Sequence, residues 1–87
     1  MKISTKDLTA LFELDQDIVK DESIMFQKEI KNSVAKGMTH FCFQLTGVQN
    51  IDPPAICALM ALTKQMGYEV EFQGEDNTLI FDLIRNP

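Results

Sequence analysis

Hydrophobic and polar positions change period several times along this chain, and each change marks a new element. Lys2 to Thr5 is a short segment of strand character, closed by the polar pair Lys6 and Asp7. Ala10, Phe12 and Leu14 then alternate with Leu11, Glu13 and Asp15, the period of a strand with one buried face. From Asp21 or Ser23, either of which suits a cap, Phe26, Ile30 and Val34 recur every four residues, predicting a helix to about Lys36 that Gly37 ends. His40 to Thr46 alternates again, with Phe41, Phe43 and Leu45 on one side and Cys42, Gln44 and Thr46 on the other. Asp52 fits a helix N-cap and Pro53 the first helical position, so a second helix is expected from Pro53 to about Met66, ended by Gly67. Tyr68, Val70 and Phe72 alternate with Glu69, Glu71 and Gln73 in a last strand. Gly74 and Glu75 then turn the chain, and a third helix, capped by Asp76 or Asn77, carries Leu79, Ile80, Leu83 and Ile84.

The predicted order is β-β-α-β-α-β-α within one domain, residues 1–87. Strand–helix–strand alternation with short links favours parallel pairing through right-handed crossovers. Parallel strands covered on both faces read as continuous apolar runs, whereas these alternate. The helices are therefore expected mainly on one face, leaving Glu13, Gln44, Glu69 and Glu71 on a partly solvated opposite face.

Composition narrows the function. A formal net charge of −5, with eight scattered Lys and Arg, argues against nucleic acid or an anionic membrane as partner. Lys28, Lys31 and Lys36 share one predicted helix with Glu22 and Glu29, which reads as a mixed solvated face. The two cysteines make no disulfide framework, Met1 to Asp7 has no apolar run suited to a signal peptide, and Ala55 to Leu62 is too short to span a membrane. A cytoplasmic protein with reduced thiols is expected.

Enzyme signatures are absent. The four glycines are isolated turn residues, so there is no phosphate loop, and the single histidine is His40. His40 and Cys42 point to one face of one strand, but scattered carboxylates supply no recognisable further ligands, so neither a metal nor another cofactor is expected. Asp15, Asp17, Asp21 and Glu22 suit solvation or capping better than acid–base chemistry. Cys57, near a helix start where the dipole can lower a thiol pKa, has no base close in sequence and is expected to pack as a small hydrophobe.

The helix from Pro53 to Met66 is apolar nearly all round. Ile56, Leu59, Met60 and Met66 form one stripe, and Ala55, Cys57, Ala58, Ala61 and Leu62 fill much of the rest. A helix packed on one sheet needs only about a 100° apolar stripe. Either neighbouring helices cover the extra sides, or small residues leave a smooth patch for a partner.

The run Leu45-Thr46-Gly47-Val48, then Ile51-Asp52 before an apolar helix, resembles the STAS domain of bacterial anti-sigma-factor antagonists and sulfate transporters. The predicted element order and a glycine before the last strand, Gly67, agree with that family. The resemblance implies a STAS-like α/β fold, a four-stranded, mostly parallel sheet with three helices mainly on one face. It also implies a non-catalytic, protein-binding regulatory role. Family antagonists carry a phosphorylatable serine directly after the Asp. Here Pro53 and then Pro54 stand there, so no phosphorylation is expected at the turn, and docking would be constitutive. Gln44 replaces the usual acidic residue and Ala55 a glycine. The expected contact residues are Asp52, Pro53, Pro54, Ala55, Cys57, Ala58 and Ala61, and the implied partner is an anti-sigma or kinase-like regulator. The alternative is a small STAS subunit bracing the ATPase of an ABC-type phospholipid transporter.

Overall fold

The alternating segments assemble into one four-stranded sheet, in strand order β1-β2-β3-β4, in a computed structural model that describes residues 1–74. The strands are β1 (Lys2–Lys6), β2 (Thr9–Glu13), β3 (His40–Gln44) and β4 (Glu69–Gln73), and the helices α1 (Lys20–Ala35) and α2 (Pro53–Lys64). The predicted third helix, with Leu79, Ile80, Leu83 and Ile84, lies outside the described residues.

The sheet is mixed. β1 and β2 form an antiparallel hairpin in which Lys6 faces Thr9 across Asp7 and Leu8, while β2–β3 and β3–β4 are parallel. Asp7 takes φ +55 in that turn, a backbone state that short polar side chains tolerate better than most. Each parallel pair is joined through a helix, as a crossover requires.

Register puts the apolar residues in rows. Ala10, Phe41 and Val70 lie side by side, as do Phe12, Phe43 and Phe72. Under these rows α1 contributes Phe26 and Ile30, and α2 contributes Ala55, Leu59 and Leu62. The rings of Phe12 and Phe43 sit 4.8 Å apart, and Phe26 meets both edge-on. Both helices thus pack on the same face, and they touch each other. On the opposite face Glu69 and Glu71 are exposed and Glu13 and Gln44 half-buried, as the alternation predicts.

Three details differ from the sequence reading. The buried line of α2 is Ala55, Leu59 and Leu62; Ile56 and Met60 are half-buried, and Met66, beyond the helix end, is 94% exposed. The N-cap position of α1 is Val19, not Asp21 or Ser23. Ser23 is instead buried on the packed side, where its hydroxyl accepts from Gln27 Nε2 at 3.2 Å. No helix among the described residues is long and apolar enough to cross a membrane.

Candidate functional site

At the C-terminal ends of β2 and β3 two loops are laced together. Leu14 N–H donates to the Gln44 carbonyl at 2.9 Å, Ile18 N–H to Asn50 at 2.9 Å, and Asp52 N–H back to Ile18 at 2.9 Å. Gly47 sits directly against the Asp15 backbone, so a side chain at this position would overlap the Asp15 carbonyl. That close approach, rather than a positive φ, explains the glycine of the Leu45–Val48 motif.

Asp17 fixes the second loop. Its carboxylate accepts from Gln49 N–H at 2.8 Å, Asn50 N–H at 3.0 Å and Asn50 Nδ2 at 3.0 Å. The hydrogen bonds from Asn50 and Gln49 favour the charged form and hold the carboxyl below its ordinary value of 3.8.

Asp52 occupies the N-cap position of α2, as expected, but its side chain makes no bond to that helix. Oδ2 accepts instead from Lys20 N–H at 2.8 Å, at the start of α1, where Lys20 takes φ +54. One carboxylate therefore caps one helix while its own backbone begins another.

The start of α2 is chemically closed. Pro53 and Pro54 fill the first two positions and carry no N–H. Ala55 and Ile56 N–H both donate to the Asp52 carbonyl at 3.0 Å, and Asp52 N–H is held by Ile18. A helix N-terminus attracts anions through free N–H groups and the dipole. Here those donors are absent or already bonded.

The expected contact residues divide by helical phase. Pro53, Pro54, Cys57 and Ala61 are exposed, and Asp52 and Ala58 half-buried. Ala55 is fully buried in the core and so cannot meet a partner, which corrects the reading that included it. The expectation that Cys57 packs as a small hydrophobe is also overturned, since it is exposed on the outer side of α2. Cys42 is the buried thiol. Desolvation, with the nearby Glu71 charge, pushes its pKa up, so it is the less reactive of the two.

Ala58 and Ala61 line a groove of about 320 Å³ between the two helices, together with Gln27, Ile30, Lys31 and Val34 of α1 and Leu62, Gln65 and Tyr68. Alanine on one wall, where a larger residue would fill the space, is what leaves it open. Sequence reading reached Ala58 and Ala61 but missed Gln27, Lys31 and Tyr68. Only the pairing of the helices brings them there, although the Gln27, Lys31, Val34 spacing was visible.

On the uncovered sheet face His40 lies between Glu69 and Glu71, with Nδ1 at 3.3 Å and Nε2 at 3.5 Å from their carboxylates. These three follow from register, being near neighbours across β3 and β4. No group of metal-ligating side chains able to hold an ion occurs among the described residues. No family model matches the chain, and no curated protein matches it with significant similarity.

Proposed function

We propose that this chain is a non-catalytic protein-binding module of STAS-like fold, resembling an anti-sigma-factor antagonist, whose docking turn is not switched by phosphate. The observation that carries the reading is the outer face of α2. From Pro53 to Thr63 the helix holds no charged residue, and Pro53, Pro54, Cys57 and Ala61 stand exposed on it. A soluble surface helix ordinarily carries charge on its outward side. A smooth, uncharged face of small residues beside a groove suits a protein partner, for which apolar contact costs no desolvation of charge.

The closed N-terminus of α2 supports the unswitched half of the proposal. A phosphate near this turn would find no free backbone donors and would lie near Asp17 and Asp52, whose charges repel it. Thr46, the nearest hydroxyl in the motif, lines the same hollow as Glu13 and Asp15 and is no better placed. The partner class implied by the motif is a soluble regulator of the anti-sigma or kinase-like type.

The test is affinity capture from the native cell with three baits. These are the unaltered chain, Ala61→Arg on the docking face, and Ser4→Arg on the uncovered sheet face. The first and third should retain the same soluble partner, and Ala61→Arg should lose it while keeping an unchanged circular dichroism spectrum. Intact capture by folded Ala61→Arg would sink the docking assignment.

A further inference from the structure

The groove between α1 and α2 is apolar at its floor and polar at its rim, where Lys31 is the charged residue among those that line it. Ile30, Val34 and Leu62 form the floor, and Gln27, Gln65 and Lys31 stand along its edges. Lys28 lies one helical step from Lys31 on the outward side of α1, and Lys64 follows Ala61 by three residues on α2. All three lysines are exposed, and none forms an ion pair among the described residues. α2 has no acidic residue to oppose them. On α1, Glu29 projects by helical periodicity to the side away from the groove, and Glu22 is engaged by the Gln16 side chain. Asp21 stands on the Lys28 stripe about 10 Å nearer the helix start, before the groove begins at Gln27. Among the described residues the charges beside the groove between Gln27 and Val34 are lysines, while Glu69 and Glu71 lie on the uncovered sheet face and Asp17 and Asp52 at the loops.

The groove runs between two helices that each follow a parallel strand, so they point the same way. Its length, from Ala58 to Gln65, is about 10 Å, close to two helical turns. That shape suits a third helix laid along it, which meets such a surface through residues at i, i+3, i+4 and i+7. It suits a small ligand poorly, because its polar side chains stand along the rim and do not converge on one point.

We infer that the α1–α2 groove receives an acidic amphipathic helix of the partner, with small or aliphatic residues on its buried side and Glu or Asp facing Lys28, Lys31 and Lys64. This deepens the docking proposal and rests on it. The alanines allow the partner backbone to approach closely, and the lysines set orientation and exclude basic helices.

The probe is a synthetic helical peptide of about 16 residues with Leu and Ala in the i, i+3, i+4, i+7 pattern and Glu elsewhere. Its twin carries Lys in place of every Glu. Each is titrated into the full chain labelled with nitrogen-15, following amide shifts, with affinities from fluorescence anisotropy. The acidic peptide should shift the amides of Gln27, Lys31, Ala58 and Ala61. It should bind at least about fivefold more tightly than its twin, a gap that narrows as salt is added. The paired substitution Lys28→Glu with Lys31→Glu, at two exposed positions, should reverse the preference. Equal binding of the two peptides, shifts confined to another surface, or no binding would overturn the inference. So would sedimentation showing a dimer of this chain that Ala61→Arg dissociates, since a second copy would then be the occupant. The two proposals separate cleanly. If Lys28→Glu with Lys31→Glu leaves native capture intact while Ala61→Arg abolishes it, docking stands and the acidic helix does not. If Ala61→Arg captures normally, docking itself fails.

Discussion

At the scale of single residues, two aspartates explain why the loops above the sheet hold one arrangement. Asp17 receives three hydrogen bonds from the 49–50 segment, and Asp52 receives one from Lys20. Neither role is local: each carboxylate reaches across more than thirty positions, at separations of 32 and 33 residues. Asp17 makes stability depend on pH in a definite direction. Its carboxyl titrates lower in the folded chain than the ordinary 3.8, so the folded state binds the proton less readily than the unfolded one. The stabilisation is fully present above that ordinary value and is lost as pH falls through the lowered one. Asp17→Asn should therefore lower the urea midpoint near neutral pH, and the gap from the unaltered chain should close on acidification below pH 3.8. Parallel urea titrations at neutral and acid pH check this, and a gap that widens in acid would refute the assignment.

Elements show which parts of the sequence were legible. All four described strands and both described helices fall within a few residues of their expected bounds, because each carries its own period and its own stop. Gly37, with φ +89, ends α1 where a positive φ was anticipated. What could not be read was the rotation of α2. A helix that is apolar all round has no polar face to mark its outside. Ala55, expected as a contact, was therefore placed on the wrong side, being buried, while Cys57 carried two expectations, packing and contact, and its exposure overturns only the first. The capping of α1 was invisible for a different reason: its acceptor comes from the start of α2. Asp52→Ala tests that link. It should cost about 0.5–2 kcal/mol, the usual range for a lost cap, and amide exchange should quicken in the first turn of α1. If the protection lost were confined to α2, the side chain would be serving the helix it precedes.

On the scale of the whole molecule, the core and the proposed docking face share the same helices, with Ile30 and Leu62 belonging to both and Pro53, Pro54, Cys57 and Ala61 to the outer side alone. Phe43 is the hub of the core, with its ring 4.8 Å from Phe12, 5.8 Å from Phe26 and 5.7 Å from Phe72, so it joins β2, α1 and β4 through β3. Its position was legible from alternation, since register carries the same apolar row through β2, β3 and β4. The groove residues were only half legible, because they belong to a contact between helices that no single period encodes. This division makes stability and docking separable. Removing most of a buried phenyl ring costs about 3–5 kcal/mol, against about 5–15 kcal/mol for a whole domain. Phe43→Ala should therefore bring the chain close to unfolding at room temperature, while Phe43→Leu, which keeps more of the volume, should lower the urea midpoint and remain folded. The folded Phe43→Leu chain should still capture its partner, because its groove is untouched. Ala61→Arg should do the reverse, keeping the midpoint and losing the partner. The paired measurement is a urea midpoint and a capture assay on each variant. Loss of capture by fully folded Phe43→Leu would mean that docking depends on core packing rather than on the α2 surface.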